Sequence, residues 1–486
     1  MRVFEGAVLA VCLRLVAACG GSAVSSNEPE PPTTGPSQPT FVEGARLVAQ
    51  YWQIDDQPVF ERWWDSERQE ACTFGPASGD DGVFHCLPPM AQVYDTFADA
   101  DCTRPLVFAP SSLKYATTFP LDSCSGHQAV FELGEPALVT EAFGYSAGGS
   151  CVSNTQLVGM MMRSALRQVP LPEFVAATEE HDVTSGRIGT VTLAATDGSR
   201  QLFTGWDAQR NEASSPRSMV RWQPERTVYY QADRHEFADA RCTVPVALHW
   251  NVGAISCPAT AIIDVANPDD VYELGARITD SYYQRYEGEC QALAPPSTET
   301  QLYRLGAKVP AAELEPARLV QVGQGRVRST YYAGRAGVAA VPAGWVSFWG
   351  GGDALPHVRM LDSRRNDACT IVDQGVDVAR CLPVYVGLYF GDSACTQPVC
   401  VTSSGAPTPT ACRMTAPWAV DEPVEVRAVT HVHSGPLYFD DGTGFTGGGC
   451  QPASKIAAYA PAKGYDLGEP VPLEEFEPAT WHGQPR

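Results

Sequence analysis

The sequence predicts an all-β fold built from three tandem repeats, and three observations carry that prediction. One polar line recurs as Asp65-Ser-Glu-Arg68-Gln-Glu70-Ala71-Cys72, as Asp207-Ala-Gln-Arg210-Asn-Glu212-Ala213-Ser214 and as Asp362-Ser-Arg-Arg365-Asn-Asp367-Ala368-Cys369. A second line follows each copy: Phe97-Ala-Asp99-Ala-Asp-Cys102-Thr-Arg-Pro105, Phe237-Ala-Asp239-Ala-Arg-Cys242-Thr-Val-Pro245 and Phe390-Gly-Asp392-Ser-Ala-Cys395-Thr-Gln-Pro398. Each copy closes on Val169-Pro170, Val309-Pro310 or Val471-Pro472, then Glu173-Phe174, Glu313-Leu314 or Glu475-Phe476. A period of about 140 to 160 residues marks an internally repeated architecture.

The second observation is short alternation of apolar and polar residues, as from Arg46 to Tyr51, Val59 to Trp64 and Thr227 to Tyr230. Hairpin dipeptides such as Asp81-Gly82, Asp197-Gly198 and Asp441-Gly442 punctuate these stretches. The third is the near absence of helical period. Its one rival, Leu157 to Leu166, aligns with Gln301 to Leu305 and Gly464 to Leu467, which read as strands. Each copy offers roughly eight strands, four before the Cys-Thr-x-Pro segment and four after it. Two four-stranded sheets per copy would make a closed β-propeller of about six blades, whose ring leaves no sheet edge free. Three β-sandwich modules are the alternative.

Taken in chain order, the amino terminus carries an apolar run from Ala7 to Ala18 that ends Leu15-Val16-Ala17-Ala18-Cys19-Gly20. The run is too short to span a bilayer and suits an export signal. Its end resembles the lipobox of bacterial lipoprotein signal peptides, and the resemblance implies cleavage before Cys19, an acyl anchor on its sulfur and, with Gly20 next, the outer membrane. Residues 1–18 then form the signal, 19–42 a Pro/Ser/Gly-rich tether, and 43–180, 181–317 and 318–486 the repeats. In layout the chain from Cys19 onward resembles the repeat lipoproteins of secretory bacteria, a likeness that implies no particular activity.

Of 16 cysteines, those after Cys19 suit an oxidising compartment. Cys72 and Cys86 recur as Cys369 and Cys381 but are Ser214 and Trp222 in the middle copy, the joint loss that a bonded pair predicts. The remaining spacing suggests Cys395 with Cys400, Cys124 with Cys151, Cys257 with Cys290, and Cys412 with Cys450. Cys102 and Cys242 are left over, bonded to each other, buried as thiols, or part of a metal site, for which the C-x-x-C spacing is lacking.

A net charge of −22, from 56 acids against 34 bases, excludes nucleic acid as a partner, because phosphate binding needs cations. It leaves carboxylates for a hard cation such as calcium; no other cofactor is implied. The line holding Asp65, Arg68 and Glu70, then Asp207, Arg210 and Glu212, then Asp362, Arg365 and Asp367, reads as a structural turn in which the arginine bridges two acids. Ser146 lies in Gly144-Tyr-Ser-Ala-Gly148, the spacing of a nucleophile elbow, but the surroundings show no alternating strand and helix. His431 and His433 fall on one strand face, as a zinc pair would, yet no third ligand is defined and a solvated face is the plainer reading. Their aligned positions hold Glu141 and Phe143 in copy 1, and Asp280 and Tyr282 in copy 2. Trp52, Trp63, Trp64, Trp345 and Trp349 suit cores or a sugar platform.

The function expected is therefore a lipid-anchored envelope protein, a non-catalytic binding or scaffold module for an envelope protein or glycan. The alternative is an extracytoplasmic hydrolase using Ser146 or the repeated carboxylates Glu70, Glu212 and Asp367.

Overall fold

The computed structural model describes residues 41–76, 83–93, 96–109, 113–118, 129–145, 150–183, 186–215, 221–224, 227–230, 236–250, 260–264, 270–286, 289–293, 295, 300–334, 340–342, 359–373, 379–384, 389–402, 408–414, 424–440, 449–453 and 463–484. Among them the fold is all-β: strands alternate with turns and a few single-turn 3-10 segments. No helix among the described residues is long and apolar enough to cross a membrane. The signal, Cys19 and the tether up to residue 40 lie outside the described residues. Phe41–Val42, expected to end the tether, instead forms a strand paired at Phe41↔Gln201 and Val42↔Arg200, and Phe41 packs against Trp63, so the expected boundary at residue 42 falls inside the fold.

Alternation explains the strands, and a bulge explains how one strand serves two cores. Leu47–Ile54 buries Leu47 and Ala49, shifts register between Gln50 and Tyr51 against its hairpin partner Gln57–Asp65, and then buries Trp52 and Ile54. The extra residue, Glu61, lies on Gln57–Asp65, so Val59 and Trp63 face different cores although they are four apart. Leu47 and Ala49 lie on the opposite face of their own strand from Trp52 and Ile54 by plain alternation. Leu47 and Ala49 therefore pack with Trp63, Phe74 and Leu193, while Trp52 and Ile54 pack with Val59, Val327 and Met360.

The inner half of each copy enters one 17-stranded sheet. In copy 1 it runs through Leu47–Ile54, Gln57–Asp65, Glu70–Pro76 and Phe84–Leu87. The matching strands are Ile188–Ala195, Arg200–Asp207, Glu212–Ser215 and Gln223–Pro224, then Val327–Ala333, Arg359–Asp362, Asp367–Asp373 and Ala379–Pro383. After its closing Val-Pro and a 3-10 turn, each copy emits a tail strand: Ala176–Asp182, Arg318–Val322 or Pro478–His482. The tail pairs backward with its own copy at Ala176↔His85 and Ala479↔Ala379, and in copy 2 through an isolated bridge just before the strand, Pro316↔Arg221. It also pairs forward with the first strand of the following copy, at Ala177↔Ala195, Arg318↔Ala333 and Trp481↔Trp52. Because the last tail lies on copy 1, the circuit closes. The boundary expected between residues 180 and 181 falls inside the first tail strand.

First-hairpin turns brace the same ring. Asp197 Oδ2 accepts the amides of Arg46 and Leu47 at 3.1 and 2.7 Å, and Asp55 Oδ2 accepts that of Val327 at 2.8 Å.

The outer halves form sheets of their own. In copy 2, Thr227–Tyr230, Val246–Trp250, Ala261–Asp264, Val271–Ile278 and Thr300–Lys308 close a small barrel. Copies 1 and 3 repeat much of that strand order, and each copy adds a three-stranded arrangement beside the Cys-Thr-x-Pro loop. The architecture thus joins a shared ring with outer units belonging to each copy.

The disulfides correct the expected pairing. Cys72–Cys86 and Cys369–Cys381 are bonded as the joint loss suggested. Cys102 joins Cys151, Cys242 joins Cys290 and Cys395 joins Cys450, so neither Cys102 nor Cys242 is left over, and the Cys124–Cys151, Cys257–Cys290 and Cys412–Cys450 pairings fail. Cys400 joins Cys412 rather than Cys395. The reason is geometric: Cys102, Cys242 and Cys395 sit in tight loops with φ of 51–52°, and the partner cysteine is the first or second residue of the strand Cys151–Ser153, Glu289–Leu293 or Cys450–Pro452. Cys400 and Cys412 instead occupy fully buried positions on the outer sheet. Their equivalents, Ala247 and Ile262 in copy 2, belong to one apolar core cluster. Cys124 and Cys257 lie outside the described residues. These bonds mark an oxidising, extracytoplasmic compartment.

Copy 2 replaces its missing inner disulfide with packing. Trp222, 1% exposed, lies over Gly205, where a Cβ would meet the indole at 2.2 Å. The position of Gly205 holds Trp63 in copy 1, so the large ring has moved to the opposite strand.

Non-reducing peptide mapping will recover Cys400 linked to Cys412 and Cys395 linked to Cys450; a Cys395–Cys400 peptide would contradict this fold. Deleting residues 478–486 strips Trp481 and Ala479 from the ring and frees the edge of Leu47–Ile54. The expected cost is about 2–3 kcal/mol from lost burial, read by urea unfolding, together with oligomers on size-exclusion chromatography.

Candidate functional site

The repeated polar residues converge on one arrangement in each copy. The aspartate that opens the motif begins a hairpin turn: Asp65 Oδ1 accepts the amides of Glu67 and Arg68, as Asp207 does for Gln209 and Arg210, and Asp362 for Arg364 and Arg365. Gln69, Asn211 and Asn366 complete these turns at φ of 53–55°, which explains the recurring amide residue, since Asn adopts left-handed backbone more readily than most residues.

The same carboxylates receive a planar guanidinium from a residue outside the motif. Arg46 binds Asp65 through Nε at 2.8 Å and Nη2 at 2.6 Å; Arg187 binds Asp207 at 2.9 and 2.6 Å; Arg326 binds Asp362 at 2.9 and 2.5 Å. The aspartate side chains are only 1–2% exposed. Hydrogen bonding to the aspartate holds each of these guanidinium groups above its ordinary pKa. Arg46 and Arg326 also donate to the carbonyls of Glu173 and Glu475, tying the copy's first strand to its closing turn.

The motif's own arginine secures the closing turn from the other side. Arg68 donates to Glu70 at 2.6 Å, to Glu173 at 3.3 Å and to the Tyr115 hydroxyl, and lies 4.5 Å from the Phe174 ring centre. Arg365 reaches Glu475 at 2.7 Å and lies 4.4 Å from Phe476, whereas Arg210 binds Glu212. Asp367 is one methylene shorter than Glu70 and instead accepts the amide and hydroxyl of Thr410. Burial pushes its carboxyl up, and its Oδ1 has no partner among the described residues. These groups are tied within their own copies.

The second motif is an Asp-centred loop. Asp99 accepts the Thr103 amide and hydroxyl at 2.8 and 2.6 Å, and Asp239 does the same for Thr243. Asp392 repeats the pattern with Thr396. The threonine hydroxyl is the largest of the influences that hold Asp99 and Asp239 down to about 2.

Among the described residues, copy 3 alone brings two histidines onto one carboxylate. His431 Nε2 and His433 Nδ1 meet the two oxygens of Asp466 at 2.6 and 2.7 Å. His431 pairs directly with Asp466 across the strands Val426–Val432 and Lys463–Pro470. The cross-strand register aligns His431 and His433 with Glu135 and Ala137, and with Ala276 and Ile278, correcting the alignment drawn from sequence. Among the described residues no three His, Cys, Asp or Glu side chains stand as a ready-made metal cage.

Other sequence candidates separate. Trp52 and Trp63 are buried in cores rather than forming a platform, while Trp345, Trp349 and Ser146 lie outside the described residues. The strand Phe143–Tyr145 that approaches Ser146 pairs antiparallel with Cys151–Ser153. Among the described residues, large apolar side chains are exposed chiefly in the outer half of copy 1: Phe108 at 74%, Leu166 at 68% and Leu138 at 61%, with Met161, Val158 and Met160. Leu138 and Met161 are cross-strand partners. No protein-family model, curated protein or solved structure matches the chain.

At the ring seam, burial and then the Asp55 carboxylate push the Glu477 carboxyl up, against the pull of Arg326. A carboxyl whose pKa rises on folding contributes stability in acid, and that contribution is lost as pH rises through the raised value. Glu477→Gln will therefore stabilise the chain at neutral pH, by up to about 1 kcal/mol, and change little near pH 4, as measured by urea unfolding at both values.

Proposed function

We propose that the chain is a lipid-anchored protein of the bacterial cell envelope that works as a non-catalytic binding or scaffold module. The observation that carries the binding reading is the exposed apolar surface of copy 1. Monomeric proteins seldom leave several large apolar side chains exposed in one region, and where they do, the region commonly meets a partner. The positions of Leu166 and Met161 hold Gly306 and Gln301 in copy 2, and Gly468 and Lys463 in copy 3, so the surface belongs to one copy and not to the repeat. The repeated acids support the scaffold reading, because Glu70 and Glu212 are occupied by arginines and Asp367 by Thr410.

Attachment is through an acyl chain on Cys19, with the segment up to residue 40 as tether and the outer membrane as destination. The partner is an envelope protein or glycan that meets the copy 1 surface. The strongly acidic chain stays off anionic lipid and nucleic acid.

In cells fed labelled palmitate, the protein will take up label and Cys19→Ser will abolish it; unlabelled parent protein would remove the anchor from this reading. Crosslinking in intact envelopes will give a dominant adduct that weakens several-fold when Leu138 and Met161 are both changed to Ser. Stoichiometric labelling by a fluorophosphonate, lost in Ser146→Ala, would favour the hydrolase instead.

A further inference from the structure

We infer that copy 3 carries a binding site for a divalent transition-metal cation of the zinc type, formed by His431, His433 and Asp466. The inference goes beyond the binding and scaffold reading and does not depend on it. It rests on a set of departures that copy 3 alone makes from the repeat, and that fit one another.

Counted back from the closing Val-Pro, Asp466 takes the place of Ser164 and Arg304. His433 takes that of Ala137 and Ile278, the latter only 8% exposed in the copy 2 core. Ala137 is exposed, whereas the imidazole of His433 is mostly buried and must satisfy its polar atoms, which it does at Nδ1 through Asp466. The loop beside it has changed to make room: where copies 1 and 2 have Ala98 and Ala238, copy 3 has Gly391, and a Cβ there would meet His433 Cε1 at 2.7 Å. Gly435 flanks the ring from another side, where a Cβ would meet Nε2 at 2.8 Å. Nε2 has no partner among the described residues and faces this cradle, so the nitrogen turned toward Asp466, which also meets His431, is Nδ1.

The donors suit the cation. Two imidazoles and one carboxylate are the three-ligand set of open zinc sites, in which the fourth position is left to water or an incoming group. Histidines two apart on one strand face, facing a carboxylate directly across the ladder, bring that set together with little chain to order. The ring nitrogens now lie 2.6 and 2.7 Å from Asp466 oxygens. Tetrahedral ligands with bonds of about 2.0–2.1 Å stand roughly 3.3 Å apart, so the cluster must open by about half an ångström. His431, 72% exposed, is free to swing, while His433, 13% exposed, is fixed in its cradle. The cation would replace the hydrogen bonds that now hold the three side chains together. Nitrogen donors disfavour calcium, which takes oxygen ligands.

The test is zinc titration of the full chain by calorimetry at pH 7.5, with metal content measured after dialysis. One zinc per chain is expected at micromolar affinity, uncompeted by millimolar calcium. His431→Asn alters an exposed side chain and will leave the unfolding midpoint unchanged; it and Asp466→Asn will each weaken binding at least tenfold. Absence of saturable zinc binding would overturn the inference. Unchanged affinity in both variants would also overturn it, since the ion would then be adventitious at another histidine.

Discussion

Each copy is organised around a single buried contact, the bidentate pairing of an arginine at the start of the first strand with the aspartate of the first polar motif. The carboxylate does two jobs at once. One oxygen caps the hairpin turn through two amides, and both oxygens hold the guanidinium. The arginine then passes the connection to the closing turn through the carbonyls of Glu173 and Glu475. Residues more than 100 positions apart are fixed by one charge-assisted node. A node that is nearly dry on the carboxylate side is stable only when complete, because removing one partner strands the other.

That node sets where the tail strand departs, and the departure makes the ring. Each tail hydrogen-bonds both its own copy and the next, so the inner sheets share edges. With the frame held in common, the cores have diverged. Copy 1 uses Trp63 and a disulfide, copy 2 uses Trp222 over Gly205, and copy 3 adds Cys400–Cys412 in place of an apolar pair. The same freedom leaves copy 1 with exposed Phe108 and Leu138, and copy 3 with a partly buried His433 where copy 2 has Ile278.

The repeat, the all-β class and the Cys72–Cys86 pairing were legible because they are local patterns that recur in register. The arginine that matters most was not, although it precedes an apolar strand each time as Arg46-Leu47, Arg187-Ile188 and Arg326-Val327. Its distance from the aspartate is 19 and 20 residues in two copies but 36 in the third, where extra chain separates the strands and hides the rhythm. The remaining disulfides were misassigned because counting cysteines for an even total ignores direction: Cys395 sits in a left-handed loop and Cys400 five residues on faces the core. The third member of the histidine cluster, Asp466, was invisible for a related reason, as it lies 33 residues from His433 on the paired strand.

The most direct measurement is a double-mutant cycle on Arg46→Met and Asp65→Asn, read by urea unfolding of the parent, both single variants and the double variant. A node that holds the copy together predicts a coupling of about 2–3 kcal/mol, with the double variant less damaged than the sum of the singles. A coupling below about 0.5 kcal/mol would mean that the two side chains only happen to be neighbours, and would contradict the role assigned to them here.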